Sequence, residues 1–359
     1  MKILFYIENF RCIGGAENYA VSICRELSIR GHEVHVVCKQ GEKIENIFIH
    51  KEFVNIKGVL KALNPDISFD WGLFERADIS RLGGGIHEIY IRYAIYSYPF
   101  FIRPFRLFLY NIGRHKRKKY HQQYVLSCPN TIYITPSKFI KNHALRYGIS
   151  YKRIKLLYNG VNLIKFFPED IKTKKRKRQE WGIKDNDIVF LFVAHNLRLK
   201  NFSLLKKIFD DLYYHYGYSN IKLIVAGKKT PNIYRPYLIC TGFVQNIREI
   251  YAISDVLLHP SFFDTFGSVV LEAMACGLPV LVSNFTGSSE IVGTGGRIIP
   301  VIGKNVKNMW SNKVKEMFDR DIRLNMGANA RAIAEKYDFF YYVNEIEKLL
   351  KQKIESSIL

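Results

Sequence analysis

A two-part α/β protein, each part a doubly wound parallel sheet, is the fold class this sequence predicts. Three observations lead there. The chain opens with a buried-strand pattern, a glycine loop and an amphipathic helix; the same rhythm restarts near residue 187; and 359 residues suit about two domains, each with its own core.

In the first half KILFYI (2–7) reads as a buried strand entering the glycine loop IGGAE (13–17). The helix ENYAVSICRELSIRG (17–31) and the strand HEVHVVC (32–38) follow, a right-handed βαβ start. The second half begins with the strand DIVFLFVAH (187–195), the helix NFSLLKKIFDDLYYHYG (201–217) and the strand IKLIVAG (221–227). It continues through the helix IREIYAISD (247–255), the strand VLLHP (256–260), a helix from Gly267 to Cys276 and the strand PVLVS (279–283). The crossing falls near YNGVNLIKFFPED (158–170), giving halves 1–165 and 166–338. A helical run, FFYYVNEIEKLLKQKI (339–354), lies in a terminal stretch 339–359 that can pack back on the first half.

Composition narrows the class. A hydrophobic fraction of 48% with 24% charged residues is that of a globular, water-exposed protein. MKILFYIENF leads straight into a loop and helix pattern, unlike a signal peptide. The longest apolar run, YAIYSYPFFI (93–102), is cut off by Arg103 and Pro104, too short for the ~20 residues a spanning helix needs. The six cysteines (12, 24, 38, 128, 240, 276) show no CxxC or Cys/His spacing and read as buried reduced thiols in a cytoplasmic protein.

The charge is uneven. The net +22 is concentrated in residues 89–168, which hold fifteen Lys/Arg and no acid. Within them, 89–125 carry eleven Tyr/Phe interleaved with basic residues and end near RHKRKK (114–119). Cations among aromatic rings suit an anionic membrane surface. They also suit nucleic acid or a solvated basic face over an aromatic core. KTKKRKR (172–178) reads as an exposed helix start near the linker.

Chemistry gathers in the loops of such folds. In DTFGSVVLE, Asp264 precedes a helix opened at Gly267, and Glu272 lies about one turn inside it. A helix start binds phosphate through its unpaired amides and macrodipole. A carboxylate accepts two vicinal hydroxyls, so a carboxylate on each side of a phosphate cradle suits a sugar and a ribose. The residues alone leave open that Asp264 is an N-cap and Glu272 a helix-surface residue.

The run HPSFFDTFGSVVLEAMACGLPVLVSNFTGSSEIV (259–292) resembles the signature of the family 4 retaining glycosyltransferases, with their Glu-x7-Glu motif. Further matches follow in family order: GGAE (14–17), YNGVN with Phe167–Pro168, VAHNLRLKN (193–201) and TGFVQNIREIYAISDVLLHPS (241–261). The resemblance implies a GT-B fold, two Rossmann-like domains facing a central cleft, with donor on the C-terminal half and acceptor on the N-terminal half. It assigns Glu272 to the ribose and Asp264 to the transferred sugar, helped by the amides of Phe266, Gly267 and Ser268. Lys200 and Arg198 go to the diphosphate, Phe243 and Val244 to the base, and Gly14 and Gly15 to the donor-facing loop. Asp264 stands where the family usually has Glu, so the donor sugar stays open; His195 stands where many members have the first basic residue.

DISRLGGGIH (78–87) resembles a segment of members that build lipopolysaccharide cores and related envelope glycans. It implies His87 at the reacting face and Gly84, Gly85 and Glu17 on the acceptor. The expected reaction moves a sugar from a nucleotide sugar, a UDP-sugar in the first instance, to an acceptor hydroxyl with retention, by same-face attack guided by the leaving phosphate. No metal is expected, since DND (185–187) and DD (210–211) lack the context of a metal-binding DxD. The expected partners are a glycan or glycolipid acceptor and, through 89–125, the cytoplasmic face of the inner membrane, with no nucleic acid. The alternatives are a nucleic-acid-binding protein using 89–168, or a sugar-nucleotide epimerase or phosphorylase of the same architecture.

Overall fold

The computed structural model describes residues 1–11 and 15–358. The chain divides into two compact units: Met1–Ile91, Pro104–Asn159 and Phe339–Leu359 form the first, and Arg92–Arg103 with Gly160–Asp338 the second. The principal crossing is thus at Asn159–Gly160 rather than at 165–166. Residues 92–103, expected within the first half, group with the second unit.

The first unit holds strands β1 (Lys2–Tyr6), β2 (Asn9–Phe10), β3 (Glu33–Val37), β4 (Gln40–Gly41), β5 (Ile47–His50), β6 (Ile67–Asp70), β7 (Ile79–Arg81), β8 (Ile132–Thr135) and β9 (Ile154–Leu156). Seven form one sheet in the order β5-β3-β1-β6-β7-β8-β9, parallel throughout, while β2 and β4 pair separately. Its helices are α1 (Gly15–Ile29), α2 (Ile56–Leu63), the start of α3 (His87–Ala94), α4 (Arg103–Tyr110) from Pro104 on, α5 (Gly113–Leu126) and α6 (Lys138–Arg146). The strands are near-continuous apolar runs because helices cover both faces. A further helix from the far end of the chain, α13 (Phe339–Ile358), completes this unit, burying Phe339, Tyr342, Val343, Ile346 and Leu350 against β1, β3 and α1 residues such as Ile3, Val34 and Ile23.

The second unit carries α7 (Ile171–Glu180), β10 (Ile188–Val193), α8 (Phe202–Asp210), β11 (Ile221–Ala226), β12 (Leu238–Gly242), α9 (Ile247–Ile253), β13 (Val256–His259), α10 (Ser268–Ala275), β14 (Val280–Ser283), β15 (Gly296–Ile299), α11 (Val306–Glu316) and α12 (Arg320–Ala334). Its parallel sheet runs β12-β11-β10-β13-β14-β15. The strand order reverses between β10 and β13, and the loops leaving those two strands open at this switch point, where doubly wound sheets bind ligands.

Two expectations are corrected. The run 172–178 is not simply exposed. Helical spacing turns Lys174 and Arg178 inward, where Arg178 Nη2 donates to Asp255 Oδ2 at 2.6 Å and Lys174 Nζ to Asp255 Oδ1 at 2.9 Å. Asp255 Oδ2 also accepts from the Val189 amide, so the basic helix is pinned to the start of β13. Among the cysteines of the described residues, all unpaired, Cys24, Cys38 and Cys276 are buried but Cys240 is exposed. No helix of the described residues is long and apolar enough to cross a membrane.

Candidate functional site

Lys200, Asp264 and Gly267, expected on the donor, meet at the switch point of the second unit. After β10, the side chain of Asn196 accepts from the Leu199 amide, and the Lys200 amide donates to the Asn196 carbonyl, folding 196–200 into a tight turn. Asn201 closes it with a left-handed φ of 63° and starts α8. The turn delivers Lys200 towards the loop after β13, to which it is tied by the Phe262 amide donating to the Leu199 carbonyl.

In that loop Asp264 is fixed through its own backbone: its amide donates to Phe285 and its carbonyl accepts from Gly287. Its Oδ2 takes an ion pair from Lys200 and lies 3.1 Å from His259 Nε2. Burial alone would raise the Asp264 pKa; Lys200 and His259 more than offset it and hold the carboxyl well below the usual range. His259 is 1% exposed at the end of β13, and burial with Lys200 lowers its pKa, so it donates to Asp264 as a neutral ring. Its other nitrogen, Nδ1, is buried without a partner among the described residues. A buried polar atom left unpaired is costly, and a bound water or ligand group would satisfy this one.

Gly267 caps α10 with φ +80°, and a Cβ there would meet Thr286 Cγ2 at 2.9 Å, Asp264 Oδ2 at 3.2 Å and His259 Nε2 at 3.3 Å. Only glycine lets the helix start close to the carboxylate. The Phe266 amide, expected on the sugar, instead donates to Asp264 Oδ1 at 3.4 Å; Gly267 and Ser268 form the helix start. One turn on, Glu272 is half-buried and its Oε2 accepts from the Tyr251 hydroxyl of α9 at 2.8 Å. Burial raises its pKa, with the Tyr251 hydrogen bond and Lys165 opposing. Phe243 is exposed just beyond β12, with Val244 beside it. Arg198 does not join the Lys200–Asp264 pair; its guanidinium lies 3.9 Å from the centre of the Tyr98 ring. Tyr98 belongs to the strap 92–103, whose Tyr93 also packs on Phe263 and Phe285, on either side of Asp264 in sequence.

The residues expected on the acceptor, Glu17, Gly84 and Gly85, lie in the first unit with His87, as does Gly15 of the loop expected to face the donor. Gly14 is outside the described residues; Gly15 opens α1 and Glu17 is half-buried in its first turn. The three glycines after β7 divide the work. Gly83 admits the Arg81 guanidinium, whose Nη1 would lie 1.8 Å from a Cβ there; Gly85 turns the chain with φ +71°; Gly84 faces open space. Arg81 itself stacks on Trp71 at 4.7 Å and donates to Asn159 Oδ1 at 2.7 Å. His87 begins α3, buried; its amide donates to Gln122 Oε1 at 2.7 Å, and its Nε2 meets His115 Nδ1 of α5 at 3.0 Å. These residues border a pocket of about 430 Å³ that also takes in Arg114 and Lys118.

Reasoning from sequence missed His259, Tyr251, Asn196 and His115 as supports. His259 alone had a local signal: a histidine closing an apolar strand before Pro260, five residues ahead of Asp264.

Two Rossmann-like parallel sheets, the second with a lysine, a half-buried carboxylate and a glycine-capped helix at its switch point, define a GT-B protein. The model of the Glycosyltransferase Family 4 matches residues 13–165, and that of the Glycosyl transferases group 1 matches residues 173–333. The chain belongs to these glycosyltransferases. An uncharacterized glycosyltransferase of Methanocaldococcus jannaschii is 28% identical over 240 residues, 62% of this chain and 60% of that protein. The chain likewise spans 52% of the length of a D-inositol 3-phosphate glycosyltransferase of Corynebacterium jeikeium, at 25% identity over 55% of this chain. An N-acetyl-alpha-D-glucosaminyl L-malate synthase of Bacillus anthracis is 22% identical over 95% of this chain and 97% of its own. Among solved structures, WaaG, a glycosyltransferase involved in lipopolysaccharide biosynthesis, superposes with a TM-score of 0.83 at 17% identity over 97% of this chain and 99% of its own. Anabaena HepE, in complex with UDP and glucose, does so at 0.75, with 17% identity over 98% and 100%.

Proposed function

We propose that the protein transfers a sugar, with retention, from a nucleoside-diphosphate sugar to a hydroxyl of an envelope glycan or glycolipid. The observation that carries this is the joint placement of Lys200, Asp264 and Glu272 around one glycine-capped helix start. Glu272, four residues into α10, stands about 6 Å along the helix from its first residue. A donor laid across the helix start would put its diphosphate at the amides and Lys200, its ribose at Glu272 and its sugar at Asp264. A leaving diphosphate gains charge, and fixed cations stabilise it without reorganising; in this reading Lys200 and Arg198 do so, with no metal required. Same-face attack guided by the leaving phosphate fits a site whose carboxylate is already committed to Lys200 and His259. The neighbour solved with UDP and glucose supports a UDP-sugar as the first donor to try.

Calorimetry on two variants tests the division of roles. A charged hydrogen bond is worth about 1.5–3 kcal/mol, or roughly 10- to 150-fold in affinity. Glu272→Ala is expected to weaken free UDP and UDP-sugar alike by that factor. Asp264→Ala is expected to spare UDP and to weaken only the intact donor or its turnover. Equal loss of bare UDP in both variants would overturn the assignment.

The reading extends to peripheral attachment at an anionic membrane. The aromatics of 89–125 sort into two sets. Tyr90 stacks on His87, and Tyr93 and Tyr98 are used within the second unit. Phe105 and Phe108 on α4 are 61% and 62% exposed, close in sequence to the cations of α5. Charge reversal at Lys116, Arg117, Lys118 and Lys119 is expected to abolish flotation with anionic vesicles while UDP binding persists. Equal binding to neutral and anionic vesicles would refute attachment of this kind.

A further inference from the structure

The pocket beside His87 has a chemistry that the donor site does not use. Its approach is cationic: Arg114 and Lys118 border it, and neither has an ion-pair partner among the described residues, Glu88 being taken by Lys119 at 3.3 Å. Both cations sit near the start of α5, a helix whose N-cap, Ile112, offers no side-chain hydrogen bond and whose first turn holds no acid. Positive side chains at the positive end of a helix are electrostatically misplaced unless an anion joins them.

Behind the cations lies a rigid wall. The His87 and His115 rings are parallel within 1°, with Tyr90 stacked on His87 and Tyr110 edge-on to His115. When one neutral imidazole donates to the other, the accepting ring keeps an N–H on its far nitrogen and the donating ring a bare nitrogen on its own, so an anion at the pair selects the tautomer that turns the N–H towards it. Burial, then Lys118 and His115, push His87 down to about 4, and burial lowers His115 as well, so the histidines stand neutral beside the two cations. Gly84, with open space at its Cβ position, leaves room at one side.

We propose that this pocket binds a phosphoryl group carried by the acceptor, gripped by Arg114, Lys118 and the far N–H of the His87–His115 pair. A volume of about 430 Å³ holds a phosphoryl group together with a sugar ring. The proposal rests on the transferase reading for the word acceptor; the anion site itself stands on the pocket.

The test is equilibrium dialysis of the full chain against radiolabelled inorganic phosphate, with UDP saturating the donor site. Phosphate is expected to bind with UDP present, and Arg114→Gln combined with Lys118→Gln to weaken it at least tenfold. His115→Gln is expected to weaken it several-fold, and Lys348→Gln with Lys351→Gln, distant surface cations, to change nothing. Phosphate displaced by UDP, or held equally by the double variant, overturns the site. Competition separates the sources: if glucose 1-phosphate displaces the labelled phosphate and short-chain phosphatidic acid does not, the phosphoryl group belongs to a glycan or soluble acceptor; if short-chain phosphatidic acid displaces it and glucose 1-phosphate does not, to a lipid headgroup. Should UDP fail to bind the parent, the donor reading falls, and dialysis of Lys200→Ala protein without UDP still decides the pocket.

Discussion

At the scale of the residue, Asp70 shows how burial shifts chemistry. It ends β6 at the point where the first sheet reverses, fully buried, accepting from the amides of Gly72 and Phe74 and from the Ser80 hydroxyl. These bonds favour the charged form, but desolvation outweighs them and lifts the carboxyl to about 7. A carboxyl raised on folding contributes fully below its unfolded value and loses that contribution as pH climbs through its folded one. Wild-type stability is therefore expected to fall between about pH 4 and 7 from this group, by at most about 4 kcal/mol. Asp70→Asn keeps an acceptor for the amides and removes the titration. Thermal unfolding across that range should find the variant gaining on wild type as pH rises; a constant difference would mean Asp70 does not titrate there.

At the scale of the element, the helix α7 carries two kinds of basic residue under one composition. Lys175 pairs with Asp185 in solvent, both more than half exposed, whereas Arg178 is buried on Asp255. Breaking a buried pair by removing one partner costs about 3–5 kcal/mol, against at most about 1 for an exposed pair. Arg178→Met is expected to lower Tm by about 10 °C and Lys175→Met by about 2 °C or less, measured by calorimetry. Equal shifts would show that the Asp255 anchor carries no special weight. The same contrast explains what was legible in the sequence. The carboxylates and the glycine were readable because short local spacing sets their positions on a helix start, whereas Lys200 was readable only through the family resemblance. The strand–helix alternation was readable because sheets buried on both faces demand continuous apolar strands. The strap 92–103 was not, because aromatic and basic residues do not say which body they will pack on. Nor was His115, which meets His87 across 28 residues and lay hidden in a run read only for its charge. Gly83, the first of the three glycines and the one given no role from the sequence, makes room for Arg81 of its own chain.

At the scale of the whole molecule, the first unit is assembled from three stretches of chain, the third being α13. That helix buries five large side chains in the unit's core and adds the Arg30–Glu347 ion pair at 3.0 Å. At about 1.5–3 kcal/mol for each buried side chain, its removal costs as much as the whole net stability of an ordinary domain. A chain stopped at Asp338 is expected to lose cooperative unfolding of the first unit and to aggregate, while Gly160–Asp338 still binds UDP. A folded, monomeric product by sedimentation and calorimetry would contradict this. The same arrangement sets a timetable for synthesis. On the ribosome the earlier stretches of the first unit emerge, and then 179 residues (160–338) pass before α13 follows. At roughly 5–20 residues per second that is a wait of about 10–40 s. Throughout it the apolar flank formed by α1, β1 and β3 has no cover, an exposure of the kind that invites aggregation and that chaperones shield.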